Sequence, residues 1–136
     1  MINAFEIYDL TKKFGDKTVL DKINLKIEAN KIHGLIGLNG VGKSTLLKIL
    51  SGMADPTSGS FRALDLTMPT HLSMIKSRLG YLPENPTLYG SLSVYELLRF
   101  IGKINEVPKD LLEERIEKYS RLFDIVDLSR VLTSNL

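Results

Sequence analysis

Nine consecutive residues, Gly37-Leu38-Asn39-Gly40-Val41-Gly42-Lys43-Ser44-Thr45, are of the types that can hold a chain of phosphates. Glycine carries no Cβ, so backbone N–H groups in such a run can close on phosphate oxygens. A lysine at its end can reach the β- and γ-phosphates, and the hydroxyl that follows can ligate Mg²⁺. The spacing is G-x-x-x-x-G-K-[ST], the P-loop pattern, and the chemistry it points to is nucleoside triphosphate binding. Asn39, Gly40, Gly42, Lys43, Ser44 and Thr45 are the expected nucleotide contacts, with Ser44 also on the metal.

Such a loop works only between a strand that delivers it and a helix that leaves it. Lys31–Gly37 reads as a buried strand. A helix follows from near Lys43 to Leu50, with Leu46, Ile49 and Leu50 on one face at i, i+3, i+4. Its positive dipole end would point at the phosphates. Upstream, Ala4–Leu10 and Val19–Ile27 partly alternate apolar and polar residues, which predicts two half-buried, antiparallel strands around a turn at Phe14-Gly15-Asp16-Lys17. Downstream, Ser51-Gly52 ends the helix, Asp55–Gly59 makes a turn, Ser60–Leu64 a short strand and His71–Arg78 a short helix. Leu79-Gly80-Tyr81-Leu82 reads as an apolar strand stopped by Pro83.

Beyond Pro83 the pattern turns helical. Ser93-Val94-Tyr95-Glu96 is a capping box, followed by Val94, Leu97, Leu98 and Ile101 at helical spacing. A second helix starts near Pro108, with Leu112, Ile116, Tyr119 and Phe123 as its apolar stripe and Glu114–Lys118 and Glu117–Arg121 as i,i+4 pairs. Two lobes are expected, residues 1–88 and 89–136. His33 and His71 read as surface or packing residues, Lys12-Lys13 as a solvated turn pair, and Tyr81 and Tyr89 as packing.

Composition narrows the classes. With 43% hydrophobic and 25% charged residues the chain is of ordinary globular type. A net charge of +2 is too small to argue for nucleic acid or a strongly acidic membrane surface. The absence of cysteine excludes disulfides, thiolate metal sites and cysteine nucleophiles. No apolar run approaches the ~20 residues that cross a bilayer, and the N-terminus lacks a signal-peptide pattern. A cytoplasmic protein that reaches a membrane only through a partner is expected.

Taken together, these segments resemble the ATP-binding cassette family over nearly the whole chain. Phe14, roughly thirty residues before Lys43, stands where that family has its adenine-stacking aromatic. Val19–Leu25 is similar to the strand before the P-loop unit, and Asp55–Ser60 to the turn after the P-loop helix. Leu79–Glu84 is similar to the strand into the Q-loop, and Ser91–Glu96 to the opening of the helical lobe. Glu84 stands where most members have the metal-holding Gln, which resembles the exporters of drugs and antibiotic peptides; a carboxylate oxygen still suits Mg²⁺. Asn30 replaces a turn glycine and tolerates left-handed backbone.

The resemblance implies an α/β P-loop NTPase core with an antiparallel β subdomain and the start of a helical subdomain, truncated at Leu136 before the signature, Walker B, catalytic Glu and switch His. Asp124–Leu128 lacks the apolar run and following Glu of a Walker B strand and reads as packing in the helical lobe. The implied ligands are ATP and Mg²⁺. The implied partners are a second nucleotide-binding domain and a membrane-spanning permease reached through residues 84–89, with the protein peripheral on the inner face of the membrane. ATP·Mg²⁺ binding without turnover is expected of this chain by itself. A soluble cassette ATPase of translation or DNA repair is the alternative. A P-loop kinase or GTPase is a further one, against which the two strands before the P-loop and the upstream Phe14 argue.

Overall fold

Two 12-residue strands, β1 (Asn3–Phe14) and β2 (Lys17–Glu28), form an antiparallel hairpin whose turn is Gly15-Asp16. Both run longer than their alternation predicts, because bulges interrupt the pattern. The register shifts between Ile7 and Leu10, where Asp9 sits at φ 45°, and again between Leu10 and Lys12, opposite Lys22 at φ 45°. Side chains repair the interrupted ladder there. Asn24 accepts from the Asp9 N–H at 3.0 Å and donates to its carboxylate at 2.7 Å, while Thr11 Oγ1 accepts from the Lys22 N–H at 3.1 Å. The bulge turns both Ile7 and Leu10 into the core.

Strand β3 (Ser58–Ala63) pairs with the other edge of β1, and the short β4 (Leu66–Thr67) pairs with β3, giving an antiparallel sheet in the order β2-β1-β3-β4. Helix α1 (Lys43–Leu50) lays Leu46, Ile49 and Leu50 on this sheet against Ile7, Leu10, Leu20 and Phe61. Ile49 and Phe61 are fully buried. Truncating such a core residue to alanine costs about 2–5 kcal/mol, so α1 is firmly seated. Helix α2 (Leu72–Lys76) adds Ile75 to the same core and is shorter than the stretch His71–Arg78 suggested.

The structure, a computed structural model, describes residues 2–64, 66–68 and 70–136. They divide into two units, Met1–Tyr81 and Leu82–Leu136. In the second, α3 (Val94–Ile104) and α4 (Lys109–Leu122) are joined by the ion pair Arg99–Glu113 at 3.1 Å and by Tyr95 Oη donating to Glu113 at 2.8 Å. That hydrogen bond raises the Tyr95 phenol above its ordinary pKa. The segment after α4 returns to the start of α3, with a bridge between Ser93 and Leu132. Among the described residues no helix is long and apolar enough to cross a membrane.

Five expectations need correcting. Lys31–Gly37 and Leu79–Leu82 are not strands, and Ile32, Ile36 and Leu82 are almost fully exposed. A strand is made by lateral partners, and no described strand lies beside either segment. Lys12 and Lys13 belong to β1 rather than to a turn. Of the α4 stripe, Leu112 is buried and Ile116 half-buried, but Tyr119 and Phe123 are exposed and stacked on each other at 6.5 Å. Of the two i,i+4 pairs, Glu117–Arg121 forms at 2.5 Å, whereas Glu114–Lys118 is not among the ion pairs of the described residues.

Candidate nucleotide-binding site

The loop before α1 is shaped by two left-handed glycines, Gly40 at φ 79° and Gly42 at φ 102°. Gly42 is also sterically required. A Cβ there would stand 2.8 Å from Leu20 Cδ2 and 3.0 Å from the Val19 carbonyl oxygen. The loop therefore packs its last glycine directly onto β2.

Gly42 is the N-cap of α1, and no side chain caps the helix. Helices leave their first N–H groups without intrahelical partners. Here the Leu46 N–H bonds to the Gly42 carbonyl at 2.8 Å, and the N–H groups from Gly40 to Thr45 have no protein acceptor among the described residues. The first turn holds no acidic residue that would occupy the positive dipole end. The result is a run of unpaired donors at the positive end of a helix dipole, chemistry that suits an anion.

Lys43 lies across this row. Its Nζ donates to the carbonyls of Gly37 at 2.8 Å and Leu38 at 2.7 Å. An ammonium has three donors, so one remains after these two bonds. The half-buried stem is anchored at the helix start while the charge closes the loop. Ser44 is exposed, Thr45 half-buried and Asn39 exposed at the loop crest. The P-loop residues singled out from the sequence are thus gathered on one turn.

Phe14 reaches the same neighbourhood by register. Lys12 pairs with Leu20, the residue that touches Gly42. Directly opposite residues share a face of the sheet, and so do residues i and i+2 of one strand. Phe14 lies two residues beyond Lys12 on β1, about 7 Å further along, past a register shift between Lys12 and Lys13. Its ring is 56% exposed, a platform at the hairpin tip. Glu84 falls in the second unit, on an exposed bend, and no hydrogen bond or ion pair engages its side chain among the described residues. His33 and His71 bond to nearby carbonyls, of Glu28 at 2.9 Å and of Thr67 at 3.2 Å.

Lys12 is the residue that sequence reasoning passed over. It is half-buried, its Nζ donates to the Asp55 carbonyl at 2.6 Å, and that charge stands 5.1 Å from the Phe14 ring centroid. A lysine two positions before an exposed aromatic in a strand is the signal that could have found it.

This chain is similar to known proteins over almost all its length. A family model described as ABC transporter matches residues 20–136. The "Probable multidrug ABC transporter ATP-binding protein YbhF" of Escherichia coli is 34% identical over 133 residues, 98% of this chain and 23% of its own. The "Bacitracin transport ATP-binding protein BcrA" of Enterococcus faecalis is 36% identical over 115 residues, 84% of this chain and 37% of its own. A solved "ATP binding subunit of ABC transporter" superposes with a TM-score of 0.81 at 27% identity, covering 93% of this chain and 53% of that one. The chain thus spans about half the length of that subunit and less of the two curated relatives.

Proposed function

Because the chain belongs to the ATP-binding cassette family of transporter ATPases, we propose that it is the ATP·Mg²⁺-binding half of a subunit that powers export across a membrane. The observation that carries this reading is the start of α1, with its unpaired N–H groups, left-handed glycine cap and Lys43 ammonium held across the loop mouth. In this reading the donors from Gly40 to Thr45 and Lys43 bind the triphosphate, and Phe14 stacks on the base. Mg²⁺ fits the donor chemistry. The exposed Ser44 hydroxyl is a hard oxygen ligand of the type Mg²⁺ takes together with phosphates. Among the described residues no group of three or more His, Asp or Glu side chains could hold a metal ion. Bound there, Mg²⁺ would neutralise phosphate charge.

Residues 1–88 would form the nucleotide-binding core and 89–136 the start of a helical subdomain. ATP would be sandwiched against a second nucleotide-binding domain. The stretch 84–89, where Leu88 and Tyr89 are exposed, would press on a membrane-spanning permease from the cytoplasmic side. The names of relatives that handle several drugs or bacitracin, and the Glu84 pattern, support export.

Hydrolysis needs a residue that positions the attacking water and further metal ligands, and this chain supplies no residue that we assign to either role. Nucleotide titration with and without Mg²⁺, on this chain and on Lys43→Ala, followed by a turnover assay, tests the reading. Losing a charged hydrogen-bond donor to phosphate costs about 1.5–3 kcal/mol, so Lys43→Ala is expected to weaken Mg²⁺-dependent ATP binding roughly ten- to a hundred-fold, with no turnover in either protein. Turnover that Lys43→Ala abolishes would reveal a base within these residues. No ATP binding by the unsubstituted chain would overturn the proposal for this chain.

A further inference from the structure

Phe14 is exposed at a hairpin tip, where a side chain ordinarily samples several rotamers. A base platform that wanders must be ordered each time a nucleotide binds, and that ordering lowers affinity. Four contacts on and beside Phe14 oppose such wandering. Lys12 Nζ stands 5.1 Å from the ring centroid. The same Nζ donates to the Asp55 carbonyl at 2.6 Å, in the loop that follows α1. The strand beneath is stitched to that loop as well, since the Lys13 N–H donates to Thr57 Oγ1 at 2.9 Å and the Thr57 N–H to the Thr11 carbonyl at 2.8 Å.

The aromatic tip and the exit of the P-loop helix are therefore tied through one ammonium group. A cation over one ring face is attracted by the π quadrupole and holds the ring against rotation. It also occupies that face, leaving the opposite one for a flat ligand. The hydrogen bond it donates goes to the Asp55 carbonyl, in the loop after α1, and not to the P-loop.

We propose that Lys12 is a positioning residue for nucleotide binding: it pins the Phe14 ring from one face, ties it to the Asp55 loop behind α1, and so presets the other face for the purine base. This rests on the reading of Phe14 as the base platform. It predicts an effect that depends on the base and is absent for phosphate alone.

The test is calorimetric titration of this chain with ATP and, separately, with inorganic tripolyphosphate, for the unsubstituted protein, Lys12→Met, Lys12→Arg, Phe14→Ala and the double variant Lys12→Met/Phe14→Ala. Methionine keeps the length of the stem and removes the cation. An exposed cation–π contact is worth enough for a loss of roughly two- to five-fold, so Lys12→Met is expected to weaken ATP by that factor and leave tripolyphosphate unchanged. Lys12→Arg, which keeps a cation and donors, is expected to restore ATP binding. Phe14→Ala is expected to weaken ATP about five- to thirty-fold, and Lys12→Met to add nothing in that background.

Equal losses for ATP and tripolyphosphate in Lys12→Met would overturn the proposal in favour of a direct phosphate contact or a general loss of fold. Unchanged ATP affinity in Lys12→Met, with a loss in Phe14→Ala, would overturn it while leaving the base platform standing. Unchanged affinity in Phe14→Ala would remove the platform itself, and the role of Lys12 with it. No ATP binding by the unsubstituted chain would overturn both.

Discussion

Two helices of this chain begin in opposite ways. At α3 every early donor is satisfied by the protein. The Ser93 N–H donates to the Glu96 carboxylate at 2.8 Å, the Glu96 N–H to Ser93 Oγ at 3.3 Å, and the Val94 and Tyr95 N–H groups to the Val131 and Ser129 carbonyls, each at 3.0 Å. At α1 the cap is a left-handed glycine with no side chain to offer, and the donors from Gly40 to Thr45 find no protein acceptor among the described residues. Both ends carry the same partial positive charge. One is closed by the chain; the other leaves its donors without a protein acceptor among the described residues. In the function proposed above, that open start is where the phosphates bind.

If α1 is kept open by design, its glycines should resist substitution more than their helix-starting role requires. Gly42→Ala is expected to have the largest effect. It adds the penalty of an L residue at φ 102° to a Cβ placed 2.8 Å from Leu20 Cδ2. Those contributions sum to about 2–5 kcal/mol. Gly40→Ala at φ 79° meets nothing within 4 Å and should cost only the backbone part, about 1–2 kcal/mol. Denaturant unfolding of the two variants checks the order. Equal losses would mean that the packing of the loop onto β2 contributes nothing, and the contrast with α3 would lose its steric half.

Both helix starts were legible in the sequence because the signals that mark them are local. The glycine spacing, Lys43, the apolar face Leu46-Ile49-Leu50 and the capping box at Ser93 each lie within a few residues. The fold classes that the two halves of the chain suggested agree with the solved neighbour. The strand expectations that failed depended on partners far along the chain or beside it. Lys31–Gly37 and Leu79–Leu82 have the apolar composition of buried strands, yet a ladder needs a neighbour, and no sequence window says which strand will be adjacent. The bulge at Asp9 and Lys22 hid the length of the hairpin, since it breaks the alternation by which strands are recognised. Lys12 was missed for a related reason, because a contact to the Asp55 carbonyl spans 43 positions of sequence.

The closed helix start should respond to substitution in stability and not in binding. Ser93→Ala removes the side-chain half of the capping box and is expected to cost about 1 kcal/mol. The Val131 and Ser129 carbonyls would still serve the next two N–H groups, which holds the cost near that value. ATP affinity should stay as it was. Paired unfolding and nucleotide titrations check both halves. A fall in ATP affinity with unchanged stability would invert the roles assigned to the two helices.

The smallest effect is a pH dependence confined to the closed helix. Hydrogen bonds from the Ser93 backbone N–H and then its hydroxyl hold the Glu96 carboxyl below its ordinary value of 4.5. A carboxyl whose pKa is lower folded than unfolded binds fewer protons in the native state, so its contribution is fully present above the unfolded value and fades as pH falls through the folded one. Glu96→Gln keeps an acceptor for the Ser93 N–H but has nothing to titrate. The stability difference between the parent and Glu96→Gln is therefore expected to be constant above pH 4.5 and to shrink below it. Taking the difference cancels the other carboxylates, which titrate in both proteins. A difference that stays flat from neutral pH into the acid range would show that the box is held by the hydroxyl and backbone alone. No comparable titration is expected at α1, whose first turn contains no acidic residue. An acid-range change that followed ATP binding instead of α3 stability would break the contrast at its most sensitive point.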